Sequence, residues 1–195
     1  MKKYEPLKQA ICDEFNEKRY IPDYSFLRTH VAVCDCNNEL ILAINHHSHK
    51  SFNSSSLIDL YKVTKKDDNQ IYFQKIGYVQ YILRRDIIRL SQIEIYQEEN
   101  NKGYGSTALK IFEFFSTRHY SGKIKIVGSF APLFNEKSEQ VKKFYKSNGY
   151  TIKKPLFEKR EIIKKEMYAR DIKKTEYDYL YVLDNNNIKN ECLEK

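Results

Sequence analysis

Five consecutive segments between residues 29 and 97 carry one pattern, and the pattern changes at Gly105. "THVAVCD", "ELILAIN", "SSLIDLYKVT", "QIYFQKIGYVQYIL" and "IIRLSQIEIYQ" are rich in β-branched and aromatic residues, which suit a pleated, half-buried surface. The first two flank a polar "CNN" turn and predict a hairpin. From Gly105 onward Ala108, Leu109, Phe112 and Phe115 recur at helical spacing, up to about "RHYSG". "KIKIVGSF" then predicts a short strand, "NEKSEQVKKFYKSNG" a helix stopped by Gly149, and "YTIKK" another strand. A strand, helix, strand, helix, strand succession after an antiparallel meander implies a mixed sheet with helices packed on it, in the α/β (α+β) class.

The two ends are less patterned. Residues 5–18 place Leu7, Ala10, Ile11 and Phe15 at helical spacing and predict an amphipathic helix. "EKREIIKKEMYARDI" fits a helix and a strand equally, "EYDYLYVLD" predicts one more strand, and "NNNIKNECLEK" a frayed tail. There is no internal repeat and no low-complexity linker. The expected organisation is one domain over residues 1–170, with a motif core at 85–153, followed by a C-terminal extension at 171–195.

Composition narrows the class of partner. With 34 basic and 26 acidic side chains the chain carries +8, a field that attracts nucleic acid, acidic protein or a phosphorylated co-substrate, and that also describes a lysine-rich solubilising surface. No apolar run approaches the ~20 residues of a membrane helix, and "MKKYEPLKQAICDEF" has charges where a signal peptide has its apolar core, so a cytoplasmic protein without membrane contact is expected. Cys34 and Cys36 share one strand face while Cys12 and Cys192 lie far off; no disulfide framework or C-x-x-C zinc spacing is present. His46, His47 and His49 in "NHHSH" read as a solvated loop, with no metal expected, and His119 as a partner for a helix C-terminus.

Only 6 glycines occur in 195 residues, and two of them stand one residue apart in "NNKGYGST", directly before a helix. A glycine-rich turn feeding a helix exposes unpaired backbone N–H groups at the positive end of the helix dipole, where phosphate binds. Gly103 and Gly105 would keep a Cβ from holding the anion away, Lys102 adds charge, and Ser106 and Thr107 add hydroxyls. The spacing is neither a Walker A loop nor a Rossmann fingerprint.

Two neighbours give the pair its meaning: the strand "QIEIYQEE" just upstream and "FYKSNGY", Phe144 to Tyr150, one helix-strand-helix unit downstream. In this order and spacing the chain resembles the GNAT superfamily of acyl-CoA N-acyltransferases over roughly residues 85–153. Its first signature is a strand, Q/R-x-x-G-x-G/A and a helix; its second is a helix ending in an aromatic and a tyrosine, followed after two or three residues by glycine and an aromatic.

The resemblance implies a GNAT-like, mostly antiparallel sheet flanked by helices, with splayed central strands. It implies that backbone groups around Ile93 and Ile95 bond the pantetheine arm of acetyl-CoA, and that amides from Asn101 through Lys102, Gly103, Tyr104 and Gly105 to Ser106, with Thr107 beside them, wrap the pyrophosphate. Tyr145 would be the general acid when the CoA thiolate leaves, since a phenol of reference pKa ~10 is protonated at neutral pH. Glu94 is the first candidate base for the acceptor amine and Asp86 the second. The chain departs from the family at Asn100, where Gln or Arg is preferred, and at Ser138, where many members carry Asn.

The function so implied is an N-acetyltransferase moving an acetyl group from acetyl-CoA to a primary amine by direct attack in a ternary complex. The acceptor would be a small molecule, a protein amine or an aminoacyl-tRNA. A toxin-like enzyme acting on aminoacyl-tRNA, or a basic binding or regulatory module without catalysis, fits the same fold, as a monomer or homodimer.

Overall fold

The computed structural model describes residues 27–48, 55–65, 71–85, 87–117, 120–130, 135–155, 160–168 and 178–183. The helix expected at residues 5–18, the tail at 185–195 and the side chains of Asp86, His47, His49 and His119 lie outside them. Among the described residues nine strands form one sheet: β1 (Leu27–Cys36), β2 (Glu39–Ser48), β3 (Ser55–Lys65), β4 (Ile71–Leu83), β5 (Ile87–Ile95), β6 (Lys123–Phe130), β7 (Thr151–Lys153), β8 (Glu161–Tyr168) and β9 (Asp178–Leu183). Helix α1 (Tyr104–Thr117) joins β5 to β6, and α2 (Asn135–Ser147) precedes β7.

The spatial order is β7-β8-β6-β5-β4-β3-β2-β1-β9. The expected meander is the run β1 to β5, each strand antiparallel to the next. The "CNN" turn closes its first hairpin with Asn37 and Asn38 at φ 52° and 67°, the left-handed pair that a two-residue hairpin turn requires and that asparagine tolerates. β5 and β6 are parallel, so their connection has to cross a sheet face, and α1 makes that crossing. The ambiguous segment at 158–172 contains β8, which pairs β6 on one side and β7 on the other. Part of the expected extension is likewise built into the sheet, as β9 pairs antiparallel with β1.

The main core lies between the sheet and α1. Ala32, Ile41, Ile58, Val79, Ile88 and Ile126 face the buried Leu109, Phe112 and Phe115 of that helix. Each such large side chain contributes about 1.5–3 kcal/mol by leaving water. A second buried group, Val31, Val33, Leu42 and Ile44, occupies the other sheet face. Within the main core Tyr81 donates its hydroxyl to Asn45 Oδ1 at 3.1 Å and meets Phe112 edge-on. Asn45 is fully buried, so Tyr81→Phe leaves an acceptor without its partner. The expected loss is about 1–3 kcal/mol in urea unfolding; a change below a few tenths would mean that the bond contributes nothing.

Candidate functional site

The site begins where two neighbouring strands part. β5 and β6 pair only from Ile87↔Lys125 to Leu90↔Gly128. Beyond that point β5 stays with β4 as far as Ile95↔Gly77, while β6 stays with β8 as far as Phe130↔Glu161. A β-bulge lies at the same point: the β4–β5 register steps from Gln80↔Gln92 to Tyr81↔Leu90, so Ser91 is the extra residue. The bulge also shifts the alternation of side chains. Ile88, Leu90, Ile93 and Ile95 all pack on the α1 side, which leaves Gln92 and Glu94 on the opposite face.

The same alternation aims the backbone. The Tyr96 N–H bonds the Ile76 carbonyl at 2.9 Å, which makes that pair, and by period two Glu94 and Gln92, the residues that bond β4. Ile93 and Ile95 therefore turn their N–H and C=O toward the gap left by β6. A strand edge with unpaired backbone groups accepts an extended amide chain as an added strand.

At the end of β5 the chain makes a 3-10 turn (Gln97–Glu99) and enters the glycine loop. The Asn100 amide is used by Gln97 O, and those of Ser106 and Thr107 by Gly103 O at 3.1 and 3.2 Å. Among the described residues, the amides of Asn101, Lys102, Gly103, Tyr104 and Gly105 bond no carbonyl or side chain. Five successive donors thus stand at the positive end of a 14-residue helix. The Ser106 amide, expected among them, is already committed. The hydroxyls are engaged too: Ser106 Oγ accepts from Asn148 Nδ2 at 3.1 Å, and Thr107 Oγ1 donates to Cys36 Sγ at 3.1 Å.

The glycines have a packing reason that differs from the expected one. Gly103 adopts φ 85°, and a Cβ there would come within 2.9 Å of Asn37 Nδ2. At Gly105 a Cβ would meet the Phe144 ring at 3.1 Å. Both face protein: the β1–β2 turn on one side, α2 on the other. Asn37 Nδ2 donates to the Lys102 carbonyl at 2.7 Å, and Tyr104 donates its hydroxyl to Glu39, which Lys62 also holds. Lys102 itself is paired with the buried Glu99 at 2.8 Å, so the pull of the loop on an anion comes from its amides rather than from a free ammonium.

Tyr145 packs against the end of β6, one wall of the gap. Its ring stacks on Phe130 of β6 at 5.8 Å and meets Phe144 and Tyr150 edge-on at 5.0 and 5.7 Å. The end of α2 explains the spacing of "FYKSNGY". Gly149 is left-handed at φ 82°, the Tyr150 N–H bonds the Tyr145 carbonyl and the Gly149 N–H bonds the Lys146 carbonyl, each at 3.0 Å. That is a Schellman motif, with Tyr145 and Tyr150 as its usual apolar contact. Burial pushes the Tyr145 phenol up to about 12, so it is protonated at neutral pH. Its hydroxyl has no hydrogen-bond partner among the described residues.

Glu94 is exposed on the opposite face, where Oε2 accepts from the Tyr78 hydroxyl at 2.7 Å and from Gln92 Nε2 at 2.9 Å. The bond to Glu94 raises the Tyr78 phenol above its ordinary value. Asn100 is exposed at the loop entrance, and Ser138 is buried in α2. His46 corrects an expectation: it lies in β2 rather than in a loop, with Nε2 3.5 Å from Asp59, which also pairs with Lys75. Among the described residues no group of three His, Cys, Asp or Glu side chains is arranged for a metal, and no helix is long and apolar enough to cross a membrane.

Sequence reasoning missed Asn37, Phe130, Glu113 and Lys165. The bulge did leave a signal: the apolar positions 88, 90, 93 and 95 break strict alternation exactly once. Asn37 was legible only as a turn residue, because its contact with Lys102 spans 65 positions.

No protein-family model matches the sequence, and no curated protein matches it. Solved structures similar to the chain include a GNAT family acetyltransferase from Elizabethkingia anophelis with acetyl-CoA bound, 17% identical over 58% of this chain and 77% of the other, with a TM-score of 0.42. They also include the PaiA N-acetyltransferase from Thermoplasma acidophilum in complex with coenzyme A, at 14%, 57%, 60% and 0.41, so that the chain spans three fifths of that enzyme. A third is the GNAT domain of S. lividans PAT, at 12%, 62%, 65% and 0.46.

Proposed function

We propose that the chain is an acyl-CoA-dependent N-acyltransferase that moves an acetyl group from acetyl-CoA to a primary amine by direct attack in a ternary complex. One observation carries this reading: among the described residues, a gap between parallel strands has unpaired backbone groups along one wall, five unbonded amides in the loop that follows it and an unpartnered phenol against the end of the other wall. That layout suits a ligand with a diphosphate, an extended amide-bearing arm and a reactive sulfur.

In this reading the loop amides of Asn101 to Gly105 hold the diphosphate and Ile93 and Ile95 bond the arm. Glu94, held by Tyr78 and Gln92, takes a proton from the acceptor ammonium, directly or through water. The freed amine forms the new C–N bond at the thioester carbonyl, the C–S bond breaks, Tyr145 gives its proton to the departing sulfur, and the nitrogen releases its second proton to solvent. Solvent then returns a proton to Tyr145 and removes the one on Glu94, so the sum is amide plus free thiol. The general acid step is worth about 10²–10⁴-fold.

The test is transfer of label from radiolabelled acetyl-CoA to a panel of spermidine, a lysine-rich peptide and aminoacyl-tRNA. Labelled amide on any member is the expected result. Saturable CoA binding with no transfer to any amine would favour the non-catalytic module instead. The support from the hairpin gives a separate prediction: Asn37→Ala removes the bond that holds the Lys102 carbonyl, and the Kd for CoA rises about five- to tenfold, or ~1 kcal/mol. An unchanged Kd in calorimetry would show that the turn does not shape the loop.

A further inference from the structure

Beneath the α2 terminus lies a buried polar group that the proposed reaction does not use. Glu113, in the middle of α1, is 8% exposed. Its Oε1 accepts from the Tyr150 hydroxyl at 2.9 Å and from Lys165 Nζ at 2.7 Å, and its Oε2 accepts from the same ammonium at 2.9 Å. Lys165, on β8, also donates to the Asn148 carbonyl at 3.0 Å, at the negative end of α2. Its ammonium stands 5.1 Å from the centre of the Tyr150 ring.

We infer that Glu113, Lys165 and Tyr150 are positioning residues that hold the Tyr145 phenol in register with the glycine loop; the inference rests on Tyr145 being the proton donor. The chain of contacts is short. Tyr150 touches Tyr145 twice, through its N–H on the Tyr145 carbonyl and through its ring. The hydroxyl of Tyr150 is fixed by Glu113, and Glu113 belongs to the helix whose first turn presents the loop amides. One ion-bonded cluster therefore ties Tyr145 to the helix that carries the loop.

Stability alone is a poor reason for such a cluster. A phenylalanine at 150 would fill the same space without burying a hydroxyl, and apolar residues often replace a buried ion pair at no cost. What apolar contacts do not supply is direction: rings packed on rings slide and flip, whereas a phenol bonded to a fixed carboxylate stays in one place.

The test labels the protein with 3-fluorotyrosine and assigns the Tyr145 fluorine line by its loss in Tyr145→Phe. In Tyr150→Phe, which keeps the ring, the Tyr145 line is expected to shift or broaden and turnover to fall about tenfold, with the Kd for CoA within twofold of the parent. Lys165→Arg, which keeps a charged donor, is expected to retain more turnover than Lys165→Met. An unmoved Tyr145 line in Tyr150→Phe overturns the inference, as does a loss of turnover matched by an equal loss of CoA affinity. If the line moves and Tyr145→Phe turns over at the parent rate, the cluster does position the ring and the proton-donor reading is what fails.

Discussion

Replacing Tyr145 by phenylalanine is expected to lower turnover roughly 100-fold or more while leaving the Kd for CoA within twofold of the parent. The ring keeps its stack on Phe130 and its edge contacts with Phe144 and Tyr150, so packing changes little. Only the proton is removed. Because burial raises the phenol to about 12, no alkaline limb from this group is expected in the rate profile below about pH 10. The sign for stability agrees: a folded pKa above the unfolded value of ~10 favours the protonated native state below pH 10, and that contribution is lost as pH rises from 10 through about 12. Full turnover in Tyr145→Phe would remove the phenol from the chemistry.

The second large effect is on stability. Glu113→Leu removes the carboxylate but leaves the Lys165 ammonium, only 21% exposed, with the Asn148 carbonyl as its remaining acceptor. Breaking a buried pair this way costs about 3–5 kcal/mol. For a chain of this size that lowers Tm by roughly 6–20 °C. The double change Glu113→Leu, Lys165→Met is expected to recover more than half of the loss, because no unpaired charge is then buried. Urea unfolding of the parent, Glu113→Leu, Lys165→Met and the double variant checks it; losses that simply add would mean that the two side chains do not act as a pair.

Much of the fold was legible because it rests on local pattern. The β-branched runs from residue 29 to 95 became β1 to β5, and Ala108, Leu109, Phe112 and Phe115 do line the buried side of α1. The stop at Gly149 was legible for the same reason, since a left-handed residue ends a helix whatever surrounds it. The segment around Ile162 and Ile163 was not. Eight residues with apolar positions at both periods have no local preference, and pairing between β6 and β7 decided the outcome.

The site divides along the same line. Gly103, Gly105 and Tyr145 belong to short motifs; the glycines lie in the loop after β5 and the Tyr145 ring stacks on Phe130 at the end of β6. The residues that hold them are distant in sequence: Asn37 lies 65 positions from Lys102, and Lys165 lies 52 from Glu113. Glu113 in particular sits in an apolar run, where a lone carboxylate looks like a solvent-facing position until its ammonium is known. His46 was misread for the same reason, because Asp59 reaches it from the neighbouring strand.

The central claim is that the backbone amides after β5 grip a diphosphate while the edge of β5 receives the chain attached to it. Titration of the 15N-labelled protein with CoA reads those amides one by one. The expected result is saturable shifts at Asn101, Lys102, Gly103, Tyr104 and Gly105, together with Ile93 and Ile95. If these seven amides stay in place at millimolar CoA, or if the shifts collect on another part of the sheet, the account is contradicted.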